Sequence, residues 1–147
     1  MRLRELVLAY RLCPGPITID GRTSLTTPHD AATLLARLLS EEAVEVFGIL
    51  CLNTRHQVLA WHKVSRGCLD ATLVNPREVF KAAILANAAA LIVAHNHPSG
   101  DPAPSPDDRT LTQRLVAAGS LLGIDVVDHI VVGHEGRYCS FRETGLL

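Results

Sequence analysis

The sequence has few aromatic residues, almost no net charge and no long apolar run. Aromatic side chains are 4% of the 147 residues, so a core must be built from Leu, Val, Ile and Ala. The formal net charge of -1 argues against a protein that binds nucleic acid through bulk positive charge, although a local basic patch is compatible with it. The longest apolar run, residues 88–94, is far too short to cross a membrane, so we expect no membrane partner.

Neither the cysteines nor the N-terminal segment indicates a secreted protein. Cys13, Cys51, Cys68 and Cys139 are unevenly spaced and form no C-x-x-C motif. We therefore predict that they are small buried apolar residues or bystanders. The first residues mix charged with apolar side chains and lack the uninterrupted apolar core of a signal peptide, which predicts a cytoplasmic location.

Apolar residues make up 48% of the chain, which is enough for one folded domain. The strand–helix–strand order around residues 76–87 predicts a right-handed crossover between parallel strands. We predict an α/β (α+β) fold, a mixed β-sheet flanked by helices, in residues 27–147, preceded by an N-terminal helix and connector in residues 1–26. Periodicity and capping signals predict helices over residues 3–12, 28–41, 76–87 and 106–123, and strands over 44–52, 57–64, 71–74, 88–94, 124–132 and 137–141.

Two histidines follow directly on a predicted buried strand. His95 and His97 are two residues apart, so on an extended backbone both rings point to one side while Asn96 points away. Strand ends are where α/β sheets place their sites. Asp108 lies in the first turn of the next helix, where the helix N-terminus stabilises a carboxylate. Two imidazoles and one carboxylate are the right ligands for a catalytic zinc ion that keeps a fourth position for water.

Simpler interpretations of these residues stay open. Asp108 also fits the third helical position of a capping box in which Ser105 is the N-cap. A histidine at a strand end is often only a hydrogen-bonded polar residue. His129, which follows Asp128 in a predicted strand, has three interpretations: a residue that orients a metal ligand, a further group near the metal, or a buried histidine with satisfied hydrogen bonds.

Hydrolysis at such a site needs a group that accepts a proton from water and passes it to the leaving nitrogen. Glu45 differs from the other candidate carboxylates because it stands in an otherwise apolar strand, where an ionised group is costly without a partner. The same position also fits an exposed site on an amphipathic strand. The candidates are Glu41, Glu42, Glu45, Asp70 and Glu78.

His95, His97, Ser105 and Asp108 together form the pattern H-x-H-x7-S-x-x-D, which resembles the signature of the JAMM (MPN-plus) metallopeptidases. The longer wording HNHPSGDPAPSPDD resembles the bacterial RadC branch, and the resemblance runs from about Glu5 to the C-terminus. The helix-hairpin-helix domain of some RadC proteins has no counterpart in residues 1–26. The resemblance implies a JAMM/MPN fold, which is cytidine-deaminase-like.

The resemblance also implies roles for individual residues. It makes His95, His97 and Asp108 the ligands of Zn2+. It makes Glu45 the general acid and base, because JAMM enzymes carry this glutamate in an E-V-x-G-x-L strand and residues 45–50 have that form. It gives Ser105 a part in stabilising the oxyanion, which competes with helix capping for one hydroxyl.

The implied function is a zinc-dependent metallohydrolase, a peptidase or isopeptidase that cleaves an amide bond in an unknown protein or peptide. A second hypothesis is a DNA repair-associated RadC-like protein that binds or processes nucleic acid, which a gel-shift assay at stated salt would test. A third is a non-catalytic, partner-binding MPN module; such relatives lack the metal ligands, which this chain keeps. Neither the substrate nor the oligomeric state can be inferred from the sequence.

Overall fold

Five strands and three helices make up the described part of the chain. The computed structural model describes residues 7, 9–13, 19–20, 23–39, 41–67 and 74–147. Within these residues the helices are α1 (Pro28–Leu39), α2 (Pro76–Leu85) and α3 (Pro106–Leu122). The strands are β1 (Val46–Leu52), β2 (Val58–Arg66), β3 (Ala90–Asn96), β4 (Asp125–Val132) and β5 (Tyr138–Ser140).

The strands form one mixed sheet in the order β2-β1-β3-β4-β5. β1 pairs antiparallel with β2 and β3, β3 pairs parallel with β4, and β4 pairs antiparallel with β5. The predicted mixed α/β architecture is therefore confirmed. The crossover predicted around α2 does join parallel strands, β2 and β3, but the expected pairing between its two strands is wrong; the parallel strands that pair, β3 and β4, are joined by α3. The chain passes through α2 from edge strand β2 to central strand β3, and β1 lies between these two strands.

Both faces of the sheet are covered, which explains the uninterrupted apolar runs in its central strands. Every residue of β1 and β3 is buried. On one face, α1 packs over Leu50 and Ala94. On the other face, residues of α2 and α3 pack over Ile49 and Val93. Successive residues of β3 therefore face different layers, and this alternation decides the surroundings of the residues at its end.

All three helices begin with a polar cap followed by proline, as the sequence predicts. Thr27 and Asp30 exchange hydrogen bonds between backbone N–H and side-chain oxygen at the start of α1, at 2.9 and 3.1 Å. The Asn75 side chain accepts from the backbone N–H of Arg77 at the start of α2. Ser105 opens α3, which ends at Gly123 in the left-handed conformation, with φ 70°.

Several sequence predictions fall partly outside the described residues. The helix predicted over 3–12 includes residues that are not described, and its described residues, 7 and 9–12, are exposed and not helical, so the prediction is wrong for them. The strand predicted over 71–74 lies outside the described residues except for Val74, which is buried but in no strand. No helix in the described part of the chain is long and apolar enough to cross a membrane.

The cysteines only partly follow their predicted role as buried apolar residues. Cys51 is buried in β1, Cys139 is partly buried, and both are free. Cys13 is exposed and free, which agrees with the bystander alternative. Cys68 lies outside the described residues.

Candidate metal centre

Two histidines and two carboxylates converge where β3 ends. The Nε2 atoms of His95 and His97 are 3.0 Å apart, so their rings share one side, as the spacing predicts. Asp108 at the start of α3 places Oδ1 3.3 Å from Nε2 of His95 and Oδ2 3.5 Å from Nε2 of His97. Glu45 Oε1 lies 3.9 Å from both of these nitrogens. His95 itself lies within β3, which extends two residues beyond its predicted end.

The ring of His97 is oriented by the proline-rich loop that follows it. Its Nδ1 lies 2.8 Å from the backbone oxygen of Asp101. A carbonyl oxygen only accepts, so Nδ1 carries the proton and the lone pair of Nε2 faces the other side chains. The β4–β5 turn supports this loop, because a Cβ on Gly133 would lie 2.4 Å from the backbone oxygen of Gly100. Only a residue without a side chain allows this approach.

Asp108 caps the helix, and its position is also compatible with the predicted role as a metal ligand. Its Oδ2 accepts the backbone N–H of Ser105 at 2.8 Å, which completes the predicted capping box. Its Oδ1 is directed at His95. Burial opposes ionisation, but the facing imidazole of His95 and the N–H of Ser105 outweigh it and hold the pKa of Asp108 well below its usual range. The carboxylate is therefore ionised, which is the state that binds metals.

Glu45 directly precedes β1 rather than lying within it, and its side chain is 23% exposed. Asn96 holds the backbone on both sides of this residue. The Asn96 Oδ1 accepts the N–H of Val46 at 2.8 Å, and its Nδ2 donates to the carbonyl of Val44 at 3.1 Å. Asn96 thus points away from the histidines, as predicted, and fixes the peptide groups next to Glu45.

The other candidate carboxylates have different partners. Glu42 accepts hydrogen bonds from Lys63 and Arg66. The bond from Lys63 is the main reason that the pKa of Glu42 is lowered. Glu78 pairs with Lys81 at 2.5 Å and with Arg77 at 3.4 Å. Glu41 is exposed in a turn, and Asp70 lies outside the described residues. Of the described candidates, Glu45 alone lies within 4 Å of the imidazoles.

The donor set suits a transition metal such as zinc. Glu45, His95 and His97 each offer a ligand atom within 4.8 Å of the other two, so these three residues could hold an ion. The nearest carboxylate to His95 is that of Asp108. Imidazole nitrogen with carboxylate oxygen is a usual combination for zinc, and it differs from the all-oxygen sites of calcium and magnesium.

A family model described as the RadC-like JAB domain matches residues 25–146. The chain belongs to the RadC-like JAB domain family. This membership confirms the resemblance that the H-x-H-x7-S-x-x-D pattern indicated. The match includes Glu45, His95, His97, Ser105 and Asp108 within its bounds.

Relatives of this RadC-like JAB domain occur in bacteria and archaea. UPF0758 protein STH371 of Symbiobacterium thermophilum is 48% identical over 145 residues, which are 99% of this chain and 60% of that protein. A UPF0758 protein of Desulforudis audaxviator is 50% identical over 127 residues, or 86% of this chain and 55% of the relative. UPF0758 protein Mbar_A2303 of Methanosarcina barkeri is 46% identical over 128 residues, which are 87% of this chain and 56% of that protein. The chain thus spans somewhat more than half the length of these relatives, and none of the three names states an activity.

Ser105 of the RadC-like JAB domain uses its hydroxyl in a way that reconciles its two predicted roles. The oxygen accepts the backbone N–H of Asp108 at 3.1 Å, which confirms helix capping. Within the described residues, nothing accepts the hydroxyl hydrogen. Capping therefore occupies a lone pair of the oxygen and leaves the O–H available as a donor. The role at the oxyanion stays a prediction.

Behind the domain's metal-facing residues lies His129, which is fully buried. Its Nε2 is 2.8 Å from Nδ1 of His95, and its Nδ1 is 2.6 Å from the hydroxyl of Thr112. Burial lowers the pKa of His129 well below its usual value, so the ring is neutral. Of the three interpretations, contact with His95 favours a residue that orients a ligand. Sequence reasoning missed Thr112; its signal was a polar side chain on the buried stripe of α3, four residues after Asp108.

Proposed function

We propose that this domain is a zinc-dependent hydrolase that cleaves an amide bond in a protein or peptide. In this proposal His95, His97 and Asp108 hold the metal and Glu45 moves the proton. The observation that carries the proposal is the convergence of two imidazoles and an ionised carboxylate within 3.0–3.5 Å of one another. Polar side chains lose hydration when they are packed together, which is costly unless a partner compensates for it. A cluster of this kind is therefore a candidate site for a bound ligand.

The distances favour Asp108 over Glu45 as the third ligand. Zinc bonds of about 2.0–2.1 Å in a tetrahedral arrangement leave neighbouring ligand atoms about 3.3–3.4 Å apart. Each Asp108 oxygen is close to that spacing from one histidine nitrogen, Oδ1 at 3.3 Å from His95 and Oδ2 at 3.5 Å from His97. The Glu45 oxygen lies 3.9 Å from both nitrogens, which leaves it beside the ligands rather than among them.

Zinc in this position would supply a Lewis acid and lower the pKa of a water molecule bound to it. The protein's part is to move a proton. The Oε1 of Glu45 would accept the proton that the attacking water loses, and the protonated carboxyl would return it to the leaving amide nitrogen. The hydrogen bonds of Asn96 to Val44 and Val46 support this role, because they hold the backbone from which Glu45 extends.

Ser105 can contribute to the same reaction. Its hydroxyl hydrogen is a donor that capping does not consume, and a donor aimed at developing negative charge is the usual form of oxyanion stabilisation. The proposal assigns that donor to the carbonyl oxygen of the scissile amide. The capping bond with the N–H of Asp108 keeps the hydroxyl oxygen next to a metal ligand.

The shape of the adjoining surface supports a polymeric substrate. An open groove of ≈ 270 Å³ adjoins His97 between α1, the end of β3 and the β4–β5 turn. Sites for whole small molecules are usually enclosed cavities of about 300–1,000 Å³. A groove that is open to solvent suits one segment of a longer chain whose remainder stays outside.

The two other sequence hypotheses receive no comparable support. The basic side chains of Lys63, Arg66 and Lys81 are paired with glutamates, so they do not form a free positive patch for nucleic acid. A non-catalytic module would not need the converging ligands. Both hypotheses nevertheless have direct tests, a gel-shift assay for the first and a hydrolysis assay for the second.

Metal analysis tests the proposal most directly. We expect the purified protein, stripped of metal and titrated with zinc, to bind one Zn2+ per chain. Asp108→Asn should abolish stoichiometric binding, whereas Asp107→Asn, an exposed neighbour in the same helical turn, should bind like the parent. Absence of zinc binding by the folded parent protein would contradict the proposal.

A further inference from the structure

The side of His95 that faces away from the metal-facing residues contacts a buried row of polar groups. His95 Nδ1 lies 2.8 Å from His129 Nε2, and His129 Nδ1 lies 2.6 Å from the hydroxyl of Thr112. The Thr112 hydroxyl donates to the backbone oxygen of Asp108 at 2.7 Å. His95 and His129 are 0% exposed and Thr112 is 2% exposed, so water does not compete for these bonds.

The backbone oxygen of Asp108, at the end of this row, determines which group donates in each of the hydrogen bonds. The backbone oxygen of Asp108 can only accept, so the single hydroxyl hydrogen of Thr112 is committed to it. Toward His129 the hydroxyl can therefore only accept. The Nδ1 atom of His129 must carry the proton and donate it to Thr112.

The same logic continues to His95. Among the described residues, the His129 ring is hydrogen-bonded to His95 and Thr112 and to no carboxylate, and a fully buried imidazole in such surroundings is neutral. A neutral ring carries one proton, which is on Nδ1, so Nε2 of His129 accepts. His95 must then donate from Nδ1, so the neutral, metal-binding form of this ring has its lone pair on Nε2, on the side of His97 and Asp108.

We infer that Thr112 and His129 form a hydrogen-bond relay that fixes the tautomer and orientation of His95, so that its Nε2 is presented as a metal ligand. Both are positioning residues, since they act through His95. The inference rests on the proposed function for the identity of the ligand, while the relay itself is a property of the metal-free protein.

The relay begins and ends on one residue. Asp108 contacts the metal-facing nitrogen of His95 with its carboxylate, and its backbone oxygen receives the relay that starts at the opposite nitrogen. The first turn of α3 therefore constrains both edges of the imidazole. Thr112 lies one helical turn after Asp108 on the buried face of α3, and from there its hydroxyl reaches both the Asp108 backbone oxygen and the His129 ring.

The experiment compares Thr112→Val with Thr112→Ser. Valine keeps the shape of the side chain and removes the hydroxyl, whereas serine keeps the hydroxyl and removes a methyl group. Two quantities are measured in each protein: the zinc dissociation constant by competition with a chromophoric chelator, and the tautomer of His129 in the metal-free protein by long-range 1H–15N correlation spectra. Thermal unfolding of the metal-free proteins serves as the control for folding.

We expect the metal-free parent and Thr112→Ser to carry the His129 proton on Nδ1. Thr112→Val should lose this single tautomer and weaken zinc binding by about 10–100-fold, the usual effect of removing a residue that orients a metal ligand. Thr112→Ser should bind zinc like the parent, although it loses apolar contact. A merely structural role for Thr112 would make the two variants differ in unfolding temperature but not in tautomer.

Three results would overturn the relay: a parent spectrum with the His129 proton on Nε2, equal zinc affinity in Thr112→Val and the parent, or equal weakening in Thr112→Ser and Thr112→Val. If Thr112→Val does not fold, the parent spectrum and Thr112→Ser still decide the matter. A parent protein that shows the expected tautomer but binds no zinc would contradict the proposed function and leave the relay standing.

Discussion

The two faces of the sheet meet at the end of β3, and they treat polar side chains in opposite ways. On the α3 face, His95 and His97 have one nitrogen bonded to protein and the other directed at a shared space. On the α1 face, Asn96 uses both its oxygen and its nitrogen on the backbone beside Glu45. The two histidines each keep one ring nitrogen that can bind a ligand. Asn96 has no such free group, so its role is to hold the backbone.

β4 repeats this contrast one strand further along the sheet. Asp128 accepts hydrogen bonds from the N–H of His129, the N–H of Arg142 and the hydroxyl of Ser140, at 2.6–3.0 Å. Its neighbour His129 faces the other layer and contacts His95. Asp128 is therefore held by three hydrogen bonds within the protein, whereas the next residue, His129, contacts His95 of the candidate metal centre.

The largest expected effect concerns the proton carrier. Glu45→Gln should lower amide hydrolysis by about 10²–10⁴-fold, because the amide cannot accept and return a proton. Zinc affinity should stay near that of the parent, since Glu45 is assigned beside the ligands. Hydrolysis is measured with a library of quenched fluorescent peptides, and Glu41→Gln is the matched control, because Glu41 is exposed on the same segment. Loss of zinc in Glu45→Gln would instead make this residue a ligand.

Next in size is the loss of the carboxylate ligand. Asp108→Asn can still accept the N–H of Ser105 and so keep the helix cap, but it removes the charge that faces His95. We expect zinc binding to weaken by more than about 100-fold, beyond the usual cost of losing a supporting residue. Calorimetric titration measures the affinity. Unchanged binding here, together with lost binding in Glu45→Gln, would exchange the roles of the two carboxylates.

A smaller effect is expected on the α1 face. Asn96→Ala leaves the N–H of Val46 and the carbonyl of Val44 without their side-chain partner, which should lower the free energy of unfolding by about 1–3 kcal/mol. Urea denaturation of the metal-free protein measures this change. Zinc affinity should be preserved while hydrolysis falls, because the backbone beside Glu45 loosens. If zinc affinity falls as much as it does in Asp108→Asn, the two faces are not separable.

The smallest effect is a dependence on pH. Burial raises the pKa of Asp128, and the bonds from Ser140, Arg142 and His129 only partly offset it. The folded protein then holds this proton more tightly than the unfolded chain does. The contribution of Asp128 to stability is complete below the unfolded pKa near 3.8 and is lost as pH rises through the folded value.

Asp128→Asn removes this titration and provides the test. The free energy of unfolding of the parent, relative to that of Asp128→Asn, should decrease as pH rises above about 4, with a slope of at most about 1.4 kcal/mol per pH unit. Urea denaturation of the metal-free proteins at several pH values measures the slope. A relative stability that increases with pH would show that hydrogen bonding outweighs burial at Asp128.

Local patterns predicted much of the fold correctly. The three helix starts depend on hydrogen bonds between residues three apart or closer, so Thr27, Asn75 and Ser105 could be assigned from their neighbours alone. The N-terminal helix failed in residues 7 and 9–12, where periodicity was the only signal. The strands joined through α2 run parallel but do not pair, because chain order does not say which strand lies beside β3.

The sequence by itself determined the class of fold, the caps of the helices, and the same-sided placement of His95 and His97. These features follow from the repeat of the backbone and from contacts between near neighbours. Only the tertiary structure decided that Glu45 lies beside the histidines, that Asn96 holds its backbone, and that Thr112 and His129 stand behind His95. Those relations join residues up to 52 positions apart, and they arise from strand pairing and layer packing, which no short segment encodes.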